Sequence, residues 1–243
     1  MAPILLAGDP PPVGQITVEQ IRQLVFATNE RVRQTFRERY GALIERAVVA
    51  IASAHDHLDL FRSRAPHVQM SATLELLFHA AINSLLAATH HLISGFPTAS
   101  GNMLRQHTEA VAMALLCLDR TSGVLDEFAR NLATYPVHKA PNRLLQRKRA
   151  RRLESLIGFD ASAWAKVLEL NELYDSLSHA SSLSLAHTQF LGTDNLALLG
   201  GEYDPFKAEA YEKDLRRCAT AAEVFVHLLS VILVRCYPVA DAT

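Results

Sequence analysis

The stretch that decides the fold class is SATLELLFHAAINSLLAATHHLIS, at residues 71–94. Its apolar residues recur at intervals of three and four, the spacing at which side chains share one face of an α-helix. Together they form a single stripe made of Leu74, Leu77, Phe78, Ala81, Leu85, Ala88 and Leu92. The Gly95-Phe96-Pro97 sequence that follows ends the pattern, because glycine and proline both interrupt helices. The stretch therefore predicts a helix with one buried face.

The same periodicity recurs on both sides of this stretch. Before it, a capping-box pattern at residues 17–20 starts one helix, and an apolar run covers residues 43–61 after a candidate break at Gly41. After it, the pattern predicts helices over residues 99–118, 124–133, 141–156, 160–178 and 205–236. Asp160 has the side chain to cap the fourth of these helices.

The pattern predicts an all-α fold, an up-and-down helical bundle with accessory N-terminal helices. Residues 187–204 hold three of the ten glycines and no helical stripe, so we expect a loop there before the last helix, with a short hairpin at 196–199. No repeat or linker divides the chain, and we expect one all-helical domain over residues 15–243. Residues 1–14 contain a triple proline and are expected to form a flexible arm.

Composition narrows the function classes. The chain has 243 residues, 49% of them hydrophobic, and a net charge of −1, which excludes a generally basic nucleic-acid coat protein. Its cysteines, Cys117, Cys218 and Cys236, are dispersed and favour a reducing, cytoplasmic location. The longest apolar run is interrupted by His227 and falls short of the roughly 20 residues that span a bilayer, so no membrane association is expected.

The eleven histidines raise the question of a metal site. Glu75 precedes His79, and Glu223 precedes His227, by four residues. Di-iron bundles instead require a glutamate and a histidine three residues apart, and the zinc-protease pattern His-Glu-x-x-His does not occur. We therefore expect no metal and no cofactor.

A basic segment at residues 139–152 holds seven cations and no acid. Its Arg143, Arg147 and Arg151 recur every four residues and would form one stripe on a continuous helix, with Lys148 and Arg152 beside it. Arginine makes bidentate contacts to phosphate, so these five residues are the candidates for nucleic-acid binding. The alternative is a solvated face whose charge is balanced by acids elsewhere.

Two further segments carry candidate site residues. Arg105 and Glu109 lie four apart in LRQHTEA (residues 104–110), and Asp175 and His179 lie four apart in YDSLSHAS (residues 174–181), where Ser178 adjoins the histidine. Each pair would share a helix face, and the carboxylate of Asp175 would orient the imidazole. If the two helices pack together, these groups form either a functional pocket or a structural network of paired buried charges.

This combination resembles a bacterial family of unknown function near the HEPN (higher eukaryotes and prokaryotes nucleotide-binding) superfamily. The resemblance covers about residues 70–236 and rests on Arg105, Glu109, Tyr174 and Ser178, with His179 directly after the serine. It implies an RNA- or nucleotide-associated protein in bacterial defence or stress response, and a homodimer. It also implies Arg105, Glu109 and His179 as catalytic residues, supported by Asp175, Ser178 and Tyr174.

Active HEPN ribonucleases carry an Arg-x4–6-His motif, and the matching positions here are Glu172, Leu173 and Tyr174. The resemblance therefore favours binding over cleavage. A cleaving protein would use His179 for proton transfer and Arg105 to stabilise the phosphorane, without a metal. The alternative function is a non-enzymatic helical interaction or dimerisation module, in which the polar set is structural.

Overall fold

The computed structural model describes residues 18–25, 28–66, 68–132, 134–178 and 201–238. The regular structure within these ranges is helical throughout, so the all-α prediction is confirmed. The α-helices are α1 (Val18–Val25), α2 (Glu30–Arg64), α3 (Gln69–Ile93), α4 (Pro97–Leu118), α5 (Val124–Arg130), α6 (Ala140–Leu144), α7 (Arg147–Ile157), α8 (Ala161–Ser178) and α9 (Ala208–Cys236). The N-terminal arm and the hairpin expected at 196–199 lie outside the described residues.

The core forms where α2, α3, α4 and α9 meet. Helix α3 packs along α4, α2 packs on both α3 and α9, and α8 and α6 cover α4. Four phenylalanines, Phe36, Phe61, Phe78 and Phe225, are among the largest side chains that are fully buried there. The stripe predicted on α3 is also buried, from Leu74 to Leu92. The up-and-down order of the bundle stays a prediction.

The predicted helix ends are set by local chemistry. Asp160 caps α8, because its Oδ1 accepts hydrogen bonds from the backbone N–H groups of Ser162 at 2.8 Å and Ala163 at 3.2 Å. The hydrogen bond that the Ser162 hydroxyl donates to Oδ1 at 2.7 Å, together with these backbone bonds, holds the pKa of the Asp160 carboxyl below its usual value. Between α3 and α4 the chain reverses through Gly95, whose φ of 85° favours glycine, and Pro97 starts α4.

Helix α2 continues through the candidate break at Gly41. It bends at Tyr40, whose φ and ψ of −130° and 21° are not helical. The Tyr40 hydroxyl donates to the carbonyl oxygen of Ala208 at 3.0 Å and lies 3.1 Å from the Tyr203 hydroxyl. The kink therefore coincides with a tertiary contact to the start of α9, which periodicity within α2 does not encode.

A close junction joins three segments that are distant in sequence. Asn29, in the turn between α1 and α2, donates from Nδ2 to the carbonyl oxygen of Ser94 at 2.9 Å. Arg33 donates from Nε to the Ser94 hydroxyl at 3.0 Å. Gly201 lies directly against Ser94 and Asn29. A Cβ placed on Gly201 would overlap the Ser94 carbonyl and lie 2.7 Å from Asn29 Nδ2. Only a glycine fits at this position without displacing its neighbours.

The three cysteines are free thiols on α4 and α9. Cys117 and Cys218 are buried, and burial raises the pKa of each to about 12. Cys236 is half-buried, and burial raises the pKa of its thiol as well. All three are therefore protonated at neutral pH.

Two helical segments, Met70–Ile93 and Pro205–Cys236, are long and apolar enough to cross a membrane. Neither segment is an uninterrupted run of apolar residues, which is why the apolar runs of the sequence predict no span. Core helices of soluble proteins have the same length and composition, so the two segments are weak evidence for membrane spans. The expectation of no membrane association stays a prediction, as does the cytoplasmic location.

Candidate functional site: an arginine-lined cleft

Helix α4, which carries Arg105 and Glu109, packs against α8. The prediction that the two helices with candidate site residues meet requires this contact. On α4, Arg105 and Glu109 are partly buried, with Arg105 Nε 3.6 Å from Glu109 Oε1. Helix α8 carries Tyr174, Asp175 and Ser178 near its end. The side chains of these three residues, and the whole of His179, lie outside the described part of the chain. The structure thus brings the two helices together, and the convergence of their side chains stays a prediction.

The basic segment does not form one helix, so the prediction of a single stripe is wrong. Helix α6 ends at Leu144 and α7 begins at Arg147, and between them Gln146 is extended, with φ and ψ of −60° and 121°. The break has a packing cause. Leu144 and Leu153 are both fully buried, and a continuous helix would place them on opposite sides.

Two of the predicted phosphate-binding arginines have partners within the described part of the chain. Arg143, on α6, hydrogen-bonds the hydroxyl of Tyr135, stacks 5.4 Å from that ring's centroid, and lies 3.8 Å from Glu127 Oε2. Arg152, on α7, contacts Asp119 Oδ2 at 3.2 Å and the hydroxyl of Thr121. The contacts of Arg143 hold α6 against α5 and the segment after it, and those of Arg152 hold α7 against the turn that follows α4.

Asp119 is the acid of this cluster. Burial by itself raises the pKa of its carboxyl, but hydrogen bonds from Thr121 and Arg152 outweigh burial and hold the pKa below its usual value. The carboxylate is therefore ionised at neutral pH and offsets one arginine.

Three further cations of the segment form an exposed face on α7. Arg147, Lys148 and Arg151 are all exposed and lie on one side of the helix. Arg149 is half-buried, and its Nη1 is buried with no hydrogen-bond partner among the described residues. Burial lowers the pKa of Arg149, and the nearby charge of Arg143 lowers it further.

The charges at the N-terminal end of α7 are unfavourable for a helix. Five of its first six residues are basic, its first turn holds no acid, and Gln146 provides no side-chain cap. The N-terminus of a helix carries partial positive charge, so acids stabilise it and cations destabilise it. A local arrangement that opposes stability is typical of a functional site.

The exposed face continues into a cleft of about 670 Å³. Arg152 and Ser155 line it from α7, one and two turns after Lys148, while Arg120 and Arg235 approach from the end of α4 and from the end of α9. Arg120 donates a hydrogen bond from Nε to the Met70 sulfur at 3.3 Å. Three arginines and one carboxylate, that of Asp119, line the cleft, which therefore has excess positive charge.

Sequence reasoning missed Arg120 and Arg235 as members of this site. Neither belongs to the basic segment, and each stands outside any recognisable motif. Only the packing of α7 against α9 brings Arg235 close to Arg152. Within the described part of the chain, no group of three or more potential metal ligands occurs.

Comparisons of the chain with models of protein families, with curated proteins and with solved structures find no match. The HEPN-like resemblance therefore stays a prediction, and the cleft must be interpreted from its own chemistry.

Proposed function

We propose that the chain binds RNA through the exposed cations of α7 and the arginine-lined cleft beside them. The observation that carries the proposal is the run of five cations at the positive end of α7, whose first turn holds no acid and of which Arg152 is paired with Asp119. A bound phosphate backbone would supply the missing negative charge. Arginine also matches the bidentate geometry of phosphate oxygens.

The length of the basic surface favours a strand over a single phosphate group. Arg147 and Arg152 are separated by five residues, which is about 7.5 Å along a helix that rises 1.5 Å per residue, and Arg120 and Arg235 extend the basic surface into the cleft. Such an extended surface contacts more than one phosphate of a strand. The electrostatic contact to RNA releases counterions, so its affinity falls as salt rises.

The HEPN-like resemblance supports the same ligand class, with binding favoured over cleavage. In that proposal Arg105, Glu109 and His179 contact the nucleotide, and a role in bacterial defence or stress response and a homodimer follow from the family. The alternative proposal is a helical interaction module that binds no nucleic acid. The experiment below separates the two.

Binding of a fluorescent single-stranded RNA is measured by anisotropy over a series of salt concentrations. The test variant is Arg147→Glu/Lys148→Glu/Arg151→Glu. The matched control, Arg37→Glu/Arg64→Glu/Lys166→Glu, reverses two arginines and one lysine that are exposed on α2 and α8. Both variants change the net charge equally, so only the location of the charges differs.

We expect the α7 variant to lose at least tenfold in affinity, while the control retains most of it. The slope of log affinity against log salt should also decrease by about 2, because three phosphate contacts contribute roughly 0.7 each for a single strand. Equal losses in both variants would show that binding follows net charge, and would reject the site. Absence of RNA binding by the wild-type protein would favour the interaction module.

A further inference from the structure

A second cavity lies between α4, α8 and α9 and is lined by different residues from the arginine-lined cleft. Its volume is about 560 Å³, and the turn between α7 and α8 closes one side. Small-molecule sites have volumes of roughly 300 to 1,000 Å³ and mainly apolar walls. Most of this wall is apolar and includes the side chains of Val111, Leu115, Phe159, Trp164, Phe225 and Leu228. The cavity therefore has the size and the wall of a site for a small aromatic molecule.

The charged side chains that line the cavity are already engaged. Arg216 pairs with Glu212 at 2.5 Å, and Arg217 pairs with Asp214 at 2.7 Å. The carboxylate of Asp160 caps the start of α8. A charged ligand would leave water for a mainly apolar wall, which is unfavourable unless a partner of opposite charge is free there. The cavity therefore favours an uncharged molecule.

His107 is the buried polar side chain of this wall. It is 6% exposed, and burial lowers its pKa to about 4, so the ring is neutral at neutral pH. Its Nδ1 lies 3.0 Å from the carbonyl oxygen of Ala81, which can only accept, so Nδ1 carries the proton and donates it. The other ring nitrogen, Nε2, then has a lone pair, and it has no hydrogen-bond partner among the described residues.

A buried acceptor without a partner favours a ligand that donates a hydrogen bond. Leaving such a group unsatisfied is unfavourable, and an O–H or N–H of the ligand satisfies it. Two donors of the same wall are already used, because Trp164 Nε1 donates to the carbonyl oxygen of Pro141 at 3.0 Å and the Thr108 hydroxyl to that of Leu104 at 3.1 Å. His227 also lines the cavity, but its side chain is exposed to water.

We infer that this cavity binds an uncharged aromatic molecule with one O–H or N–H donor, such as a phenol or an indole, and that Nε2 of His107 accepts the hydrogen bond. The rings of Phe159, Trp164 and Phe225 provide aromatic contacts for the body of the ligand. The inference rests on different residues from the RNA proposal, and its test does not depend on RNA binding.

A fluorescent probe and two small competitors test this inference. N-Phenyl-1-naphthylamine is uncharged and aromatic and carries one N–H, and its displacement reports the binding of other ligands. The competitors are 2-naphthol, which has an O–H donor, and 2-methoxynaphthalene, which has the same ring system and no donor. The ether is the more apolar of the two, so apolar burial by itself favours the ether, and a preference for 2-naphthol reports the hydrogen bond.

Three variants accompany the wild-type protein. His107→Leu removes the acceptor, and Val224→Trp narrows the cavity from an exposed position on α9. The matched control for the second is Val234→Trp, which is also exposed on α9 but does not line the cavity. Thermal melting establishes that each variant is folded. If His107→Leu does not fold, the two competitors on the wild-type protein decide whether an acceptor is present.

We expect saturable binding of the probe by the wild-type protein, at least tenfold weaker binding by Val224→Trp, and unchanged binding by Val234→Trp. The wild-type protein should bind 2-naphthol at least about fivefold more tightly than 2-methoxynaphthalene, because one hydrogen bond between neutral groups changes an affinity by roughly that factor. His107→Leu should lose this preference.

Failure of the probe to bind, or equal effects of the two tryptophan variants, would overturn the inference. Equal affinity of the wild-type protein for the two competitors, or a folded His107→Leu protein that keeps the preference, would overturn it too. A dimer that Val224→Trp dissociates, measured by sedimentation, would have the same consequence, because the occupant would then be a second copy of the chain.

Discussion

At the scale of single residues, His107 couples the stability of the fold to pH. Its pKa is about 4 in the folded protein and 6.5 when the side chain is unperturbed. Between these values the unfolded chain binds more protons than the folded one, so the free energy of unfolding decreases as pH falls from 6.5 to 4. The loss approaches about 1.4 kcal/mol per pH unit and about 3 kcal/mol in total.

Urea unfolding at a series of pH values measures this contribution. His107→Gln removes the titrating group and retains an N–H donor for the Ala81 carbonyl, so we expect a flatter dependence between pH 6.5 and 4. The control, His138→Gln, changes an exposed histidine and should leave the wild-type profile intact. A His107→Gln profile as steep as that of the wild type would contradict the assignment.

At the scale of one helix, we expect a charge reversal at the N-terminus of α7 to change protein stability and RNA binding in opposite directions. Lys148→Glu places an acid in the first turn, where it interacts favourably with the helix dipole and with neighbouring cations. We expect the free energy of unfolding to increase by about 0.3 to 1 kcal/mol. We also expect RNA affinity to fall, because the same residue is proposed to contact phosphate.

The measurement is urea unfolding beside RNA anisotropy on the same preparation. Lys166→Glu, on the exposed side of α8, serves as the control and should change neither quantity substantially. Higher stability of Lys148→Glu with unchanged RNA affinity would identify the cations of α7 as a solvated face. That result would remove Lys148 from the proposed site.

The helices show how much of this fold a sequence can predict. Helix α3 follows directly from its apolar stripe, and the start of α8 follows from Asp160, because both signals are local. The separation of α6 from α7 does not follow, since it depends on Leu144 and Leu153 reaching the same core from different helices. The cleft is predictable only in part: Arg152 stands in an obvious basic run, while Arg235 joins it through long-range packing.

At the scale of the whole molecule, the junction at Gly201 ties the turn between α1 and α2 to the turn between α3 and α4. Gly201→Ala would force its Cβ into the Ser94 carbonyl, which accepts the hydrogen bond from Asn29 at the end of α3. We expect a loss of about 1 to 3 kcal/mol in the free energy of unfolding, as for other overpacked sites. Thermal and urea unfolding measure it.

Gly41→Ala is the matched control for this substitution. Gly41 lies within α2, and a Cβ there would meet no atom within 4 Å. Alanine is the better helix former, so Gly41→Ala should stabilise the protein by about 0.5 to 1 kcal/mol. A Gly201→Ala protein as stable as the wild type would show that the junction rearranges freely.

The buried thiols provide a chemical measure of how the folded molecule opens. Thiolates are the nucleophiles that attack alkylating reagents, and the raised pKa values of Cys117 and Cys218 together with their burial prevent this reaction while the helices stay packed. Their labelling by iodoacetamide therefore reports how often the core opens. Cys236 lines the arginine-lined cleft and is half-buried, so it should react first. Added RNA that occupies the cleft should slow the labelling of Cys236 alone, which mass spectrometry resolves peptide by peptide.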